Sequence, residues 1–294
     1  MATADTVLAQ PSGTSSTWKK IKDLRLPWFP IVILSFIVFL AIFAPLLAPH
    51  NPKKNDIMQR LEPPFVTSEN FLGTDGLGKD VLSRLIFGAR TIMKVTLPSM
   101  VVAILVGTTV GLVAGYAGKW VDSVLMRITD AVMGFPSILV ALLIVSLVGT
   151  GLMPVLIAVT ATTWARFARM IRGEVLSNRD RDFVVLARIS GVSPAMIIWR
   201  HLFPNVVNTL MVITSITVGQ VILLVASLSF LGLGLKPGEP AWGVMVAEGR
   251  DYITGNGWWL SLFPGVIITV VVMAFNLLGD WLRDFLDPKL RRAR

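Results

Sequence analysis

The sequence predicts an all-α polytopic membrane protein with six transmembrane helices. Three observations carry that prediction. Of 294 residues, 54% are hydrophobic and only 15% are charged. The mean hydropathy is +0.70. The apolar residues gather into five charge-free runs, each of the length that a bilayer-spanning helix needs, roughly 20 residues, or longer. A soluble domain would carry about 25% charge, and the same composition rules out a disordered chain. The absence of cysteine removes disulfides, thiolate metal sites and cysteine nucleophiles. His50 and His201 are far apart, with no clustered carboxylates, which argues against a built-in metal site.

The elements follow in order. Residues 1–25 form an N-terminal tail whose first 17 residues are rich in Ser, Thr and Ala and read as disordered. The run Leu26–Pro52 gives helix 1, near 29–49. It exceeds the roughly 7–15-residue apolar stretch of a cleaved signal peptide. Residues 50–94 form a long outer segment, so the first unit is 26–94. The run Val95–Gly118 gives helix 2, near 95–117. The run Ala131–Ala165 is too long for one span and is broken at Gly149-Thr150-Gly151, with Pro154 just beyond. It divides into helix 3, near 128–149, and helix 4, near 152–171. Arg166, Arg169 and Arg172 mark where helix 4 leaves the bilayer, because an arginine at its centre costs roughly 3 kcal/mol. An inner loop at 172–204 follows. Helix 5, near 206–231, an outer loop at 235–259 and helix 6, near 260–282, complete a five-helix core at 95–283. A short tail runs over 284–294.

Charge sets the expected orientation. With both termini on one side, that side holds 18 of the 27 Lys and Arg and 10 of the 18 Asp and Glu, leaving the opposite side nearly neutral. The positive-inside bias then makes both termini cytoplasmic. It also accounts for the formal charge of +9 without a nucleic-acid partner; the expected surroundings are membrane lipid.

Several patterns bear on function. Gly73-Thr-Asp-Gly-Leu-Gly78-Lys79 resembles a phosphate-binding loop. However, Asp80 stands where Ser or Thr should hold magnesium, and no strand precedes it. Any ATP must therefore be bound by another chain. Gly107, Gly111 and Gly115 repeat every four residues in helix 2, a pattern that lets a second helix approach closely, inside the chain or in a partner. Asp130 reads as the partner of Arg127 at the membrane surface. In helix 5, Thr209, Gln220 and Ser227 fall on one stripe, and Asn208, Ser215 and Ser229 on another. Neither stripe suits lipid. One is expected to line an aqueous path and the other to join helices, and periodicity does not say which.

The loop at 172–204 is patterned as two short helices. Phe183–Ile189 is amphipathic, Gly191 interrupts, Ser193 and Pro194 restart a helix as N-cap and first-turn proline, and Leu202-Phe203-Pro204 ends it. Val185-Leu186-Ala187, Gly191 and His201-Leu202-Phe203-Pro204-Asn205 together resemble the cytoplasmic loop of ABC importer permeases. That family motif runs Glu-Ala-Ala, three residues, Gly, and a hydrophobic-Pro ending. Here the glutamate and first alanine are absent, while the glycine, the spacing and the ending are kept. Phe71–Arg90, Ser227–Gly234 and Ala274–Asp280 continuing to Leu286–Leu290 are similar to the C-type permease of the dipeptide/oligopeptide/nickel branch. The branch often has Arg where Lys79 stands and Glu where Val225 stands.

The resemblance covers roughly residues 25–292. It implies the type I importer fold, with one N-terminal helix plus a five-helix core, in a bacterial or archaeal plasma membrane. It implies a permease for di- or oligopeptides, with nickel or another small solute as the alternative, and no catalytic residue or cofactor in this chain. The implied partners are a homologous permease subunit, two cytoplasmic ATPases carrying ATP and magnesium, and an extracytoplasmic peptide-binding protein. Ala187, Arg188, Gly191, Val192, Ser193, Pro194, His201 and Pro204 would form the ATPase-coupling loop. Asn208, Thr209, Ser215, Gln220 and Ser227 are the path candidates. A stand-alone secondary transporter would show inverted repeats or membrane carboxylates, and the sequence shows neither. A scaffold would not need the hinged helices at 183–204.

Overall fold

The computed structural model describes residues 26–286. Residues 1–25 and the last eight of the predicted C-terminal tail lie outside the described residues. The described residues are mainly helical, with non-helical segments chiefly at 48–80 and 231–241 and one isolated bridge between Thr74 and Asp80. Its elements are α1 (Trp28–Leu47), α2 (Val81–Ala117), α3 (Lys119–Met133), α4 (Ser137–Val148), α5 (Leu152–Asn178), α6 (Asp182–Ile189), α7 (Pro194–Phe230), α8 (Trp242–Gly249) and α9 (Trp259–Leu286). Single 3-10 turns lie at Ile57–Gln59 and Arg250–Tyr252.

Among the described residues, four helices, α1, α2, α7 and α9, are long and apolar enough to cross a membrane, and α3 with α4 make a fifth if that bent pair is one span. The predicted count of six is not reached on this measure. Helix 4 is present as α5, but Thr160, Thr162, Thr163, Arg166 and Arg169 interrupt its apolar run.

Four predicted boundaries change, each for a physical reason. Helix 2 starts at Val81 rather than near 95. Charge ends the apolar run at Lys94, but the helix is capped by Asp80, whose side chain accepts a hydrogen bond of 2.8 Å from the Ser83 N–H. The resulting 37 residues extend about 55 Å at 1.5 Å per residue, well beyond the hydrocarbon core of about 30 Å. Helix 3 is not one rod over 128–149. It breaks at Gly134-Phe135-Pro136, and α3 and α4 meet at 85°. Pro136 lacks an N–H and disfavours the helical conformation at Phe135. Helix 4 runs on to Asn178, because Arg169 and Arg172 find carboxylate partners on α3.

The fourth change concerns the predicted stop at Leu202-Phe203-Pro204. The chain continues through it as a single helix, Pro194–Phe230. The turn Ile197–Leu202 is widened, and the Phe203 N–H reaches back to the Ile198 carbonyl five residues earlier. Pro204 cannot donate to Arg200, and its ring crowds that carbonyl. A widened turn immediately before the proline relieves both demands.

Helix packing depends on small residues. The most extensive contact is α2 against α5. Gly107, Gly111 and Gly115 are buried along it. A Cβ at Gly111 would stand 2.6 Å from the Ala168 carbonyl oxygen and 2.8 Å from the Ile171 Cβ, and one at Gly115 would stand 2.7 Å from the Val175 Cβ. The glycine series therefore faces a helix of the same chain. A second close crossing joins α7 to α9, where Gly279 lies against Ser215 and Ile216.

Candidate functional site: the loop between α5 and α7, and the faces it connects

The chain leaves α5 at Asn178 and forms α6. The turn after α6 is closed by two hydrogen bonds, Val192 N–H to the Ala187 carbonyl and Gly191 N–H to the Arg188 carbonyl, each 3.1 Å. This is the Schellman arrangement, which needs a left-handed residue at its corner. Gly191 supplies it with φ +76°. Nothing lies within 4 Å of where its Cβ would be, so the glycine is required by backbone conformation rather than by crowding. Ser193 caps the next helix by accepting from the Met196 N–H at 3.4 Å, with Pro194 in its first turn.

One face of this element is buried. Val184, Ala187, Ile197 and Leu202 pack with Leu112, Ile171, Val175 and Val206, and Val192 joins them partly buried. Arg188 lies over the Tyr116 ring at 5.9 Å. The other face is open and apolar: Leu186 is 63% exposed, Ile189 77% and Trp199 59%. Beside it, Val192, Ser193, Met196, Arg200 and His201 line an open hollow of about 470 Å³. Pro204 is exposed just beyond. Of the eight loop residues selected from the sequence, Ala187 is therefore turned inward and His201 lines the hollow. The exposed apolar side chains were not singled out in advance. The amphipathic period of Phe183–Ile189 was the signal that could have found them.

The polar residues of α7 separate clearly. Ser215 and Ser229 are buried. Ser215 donates to the Val212 carbonyl at 2.8 Å, and Ser229 accepts from the Leu235 N–H at 3.4 Å. Gln220 and Asn208 are exposed, and Thr209 and Ser227 are half-buried. The sequence stripes are thus only partly coherent, since Asn208 parts from Ser215 and Ser229. On α9, Asn276 is also exposed. Its Oδ1 lies 3.4 Å from where a Gly219 Cβ would be. Asn276 was not among the predicted path residues, although it stands inside the Ala274–Asp280 stretch that carried the family likeness.

Near the end of α5 that leads into α6, α5 and α3 are tied by two ion pairs. Arg172 meets Asp122 at 2.5 and 2.7 Å. Asp130 pairs with Arg169 of α5, not with Arg127 as the sequence spacing suggested. Asp122 lies on the face of α3 turned to α5, ahead of the apolar run that begins at Ala131. The hydrogen bond from Arg172 holds its carboxyl below the usual carboxylate range, against a smaller opposing effect of burial.

At the N-terminal end of α2, the phosphate-loop-like stretch is a structural knot. Gly73 and Gly78 take positive φ. Asp75 accepts from the Leu77 and Lys79 N–H groups at 2.8 and 2.9 Å. It also pairs with Arg84, which is 1% exposed and is held on its other side by Glu248 at 2.6 Å. Asp80 caps α2 instead of taking the magnesium position.

Comparison with known proteins identifies the family. Residues 107–292 match the family described as binding-protein-dependent transport system inner membrane component. Residues 14–64 match the N-terminal transmembrane domain of oligopeptide transport permease C. The chain is 38% identical to the dipeptide transport system permease protein DppC of Alkalihalophilus pseudofirmus, over 93% of this chain and 89% of that protein. It is 36% identical to the di/tripeptide transport system permease protein DppC of Pseudomonas aeruginosa, over 99% and 97%. It is 37% identical to the nickel transport system permease protein NikC of Escherichia coli, over 88% and 93%. With its helical bundle, its apolar spans and a match across most of its length, the chain belongs to the family of inner-membrane permease components of binding-protein-dependent ABC transport systems.

Proposed function

We propose that this chain forms half of the translocation path of an ATP-driven importer for di- or oligopeptides. The observation that carries the reading is the open apolar face of Leu186, Ile189 and Trp199 on an element continuous with α7. An ATPase gripping this face would push directly on α7, whose far turns carry Gln220. Ala187, Arg188, Gly191, Val192, Ser193, Pro194, His201 and Pro204 shape the docking element. Asn208, Thr209, Gln220 and Ser227 are available to the path, while Ser215 serves helix packing. ATP and magnesium belong to two cytoplasmic ATPase subunits, and this chain carries no catalytic group or cofactor. A homologous permease completes the path, and an extracytoplasmic peptide-binding protein delivers the solute to the outer face. Both termini lie in the cytoplasm. Binding of ATP drives the cycle only because it favours one orientation of the bundle over the other.

The dipeptide and di/tripeptide permeases among the relatives favour peptide over nickel as the solute. The test is purification of the tagged chain in mild detergent from its own membrane, followed by reconstitution and ATP-dependent uptake of a labelled dipeptide. Co-purification of a second permease and ATPases, with dipeptide uptake, is expected. Recovery of the chain alone under conditions that preserve a known importer would reject the assembly, and uptake of nickel without dipeptide would reject the solute.

A further inference from the structure

The amphipathic helix α3 carries none of the docking or path residues named above, and it is sharply bent away from the helix that follows it. It follows a sharp corner in which Gly118 and Lys119 both take positive φ, 62° and 46°. It then meets the 12-residue α4 at 85°. If α4 runs along the membrane normal, α3 lies close to the membrane plane. Its inner face is fixed to α5, with Thr129 buried and Asp122 and Asp130 ion-paired to Arg172 and Arg169. Its outer face carries Trp120, Val124 and Ile128 at four-residue spacing, one helical stripe. Trp120 is 75% exposed, and the stripe runs on to Phe135 at the break.

The charges along this helix divide unequally. It has two acids and two bases besides its apolar stripe. Both acids are taken by arginines of α5. Lys119 and Arg127 have no ion-pair partner among the described residues. A Trp-bearing apolar stripe edged by free cations fits an anionic lipid surface. The unpaired Lys119 sets it apart from the core of a protein interface, where lysine is depleted although tryptophan and arginine are enriched.

We propose that α3 is an in-plane membrane anchor, with Trp120, Val124, Ile128 and Phe135 bedded at the acyl boundary and Lys119 and Arg127 on anionic phospholipid headgroups. Through its two ion pairs it holds the end of α5 from which the α6 element departs. The inference uses the membrane embedding and not the transported solute, so it stands or falls separately from the peptide reading.

The test uses the full chain in the membranes of its own cells. A photo-cross-linking benzoylphenylalanine replaces Val124 or Ile128. In parallel, Ser123→Cys and Ile128→Cys are treated with a water-soluble maleimide, the chain having no native cysteine. The expected products at 124 and 128 are phospholipid adducts, with Ser123→Cys labelled about ten-fold faster than Ile128→Cys, as burial of one helix face at the acyl boundary requires. Lys119→Gln combined with Arg127→Gln should lower the anionic share of those adducts by about half, through lost electrostatic attraction. Adducts with a second polypeptide at both positions, or equal labelling of the two cysteines, would overturn the anchor. An unchanged anionic share would overturn the headgroup contact.

Discussion

Arg172 and Asp122 meet through two parallel hydrogen bonds, Nε to Oδ1 at 2.5 Å and Nη2 to Oδ2 at 2.7 Å. The pair joins α5 to α3 across 50 residues of chain. It is partly buried, and its fork geometry is the stronger form of a carboxylate–guanidinium contact. Asp122→Asn should lower the stability of the purified protein by about 1.5–3 kcal/mol, the range for a hydrogen bond to a charged group. The exchange Asp122→Arg with Arg172→Asp should recover part of that loss. The sign with pH follows from the lowered carboxyl of Asp122. Its contribution is fully present above the ordinary carboxylate range and is lost as pH falls through the folded value. Melting temperature followed from pH 7 downward should therefore show a decline in the native protein that is weaker in Asp122→Asn.

The glycines of α2 and α5 make a matched comparison. Gly111 lies against the Ala168 backbone, whereas Gly173 has nothing within 4 Å of its missing Cβ. Gly173→Ala should be neutral or stabilising by up to about 1 kcal/mol, from helix propensity alone. Gly111→Ala should destabilise, because two packed helices must separate to admit one methyl group. Detergent melting curves of the two variants check this. Equal effects would show that the helices do not pack as closely as described.

Gly191 tests the docking element differently. Its positive φ with open space around it means that any L-residue adds backbone strain, with asparagine the mildest. Gly191→Asn should keep most of the uptake. Gly191→Trp should insert normally and lose uptake, because the corner between α6 and α7 moves. Normal uptake by Gly191→Trp would remove the docking role from this corner.

Gln220 is exposed on a helix whose other deep polar residues, Ser215 and Thr217, are buried. Gln220→Leu should leave assembly intact while lowering dipeptide uptake by about ten-fold, the effect of losing one well-placed polar contact. Ser229→Ala, which alters a buried contact near the C-terminal end of α7, should affect melting before uptake.

Much of this was legible in the residues. Charge-free runs located α1, α9 and the C-terminal end of α7 to within a few residues, because burial in lipid leaves no other use for such stretches. Gly191, Ser193 and Pro194 announced the corner and the cap through local backbone chemistry. What was not legible depended on partners distant in sequence. The spacing of Arg127 and Asp130 suggested a pair, yet Arg169 of α5 occupies that carboxylate. Pro204 suggested a stop, yet a widened turn carries the helix past it. The start of α2 at Val81 is hidden because charge ends the apolar run at Lys94, while the Asp80 cap sets where the helix begins. Arg84, clamped between Asp75 and Glu248, carried no local sign of its burial.

The central claim is that an ATPase subunit grips the open face of α6 and the first turns of α7. The most direct measurement places a single cysteine at Ile189, in a chain with no other, and attaches a short photo-activated cross-linker in the intact complex. The account predicts an adduct of ATPase size from Ile189 and none from a cysteine at Leu143, which is exposed on α4. An intact, ATP-hydrolysing complex that gives no ATPase adduct from Ile189 would contradict it.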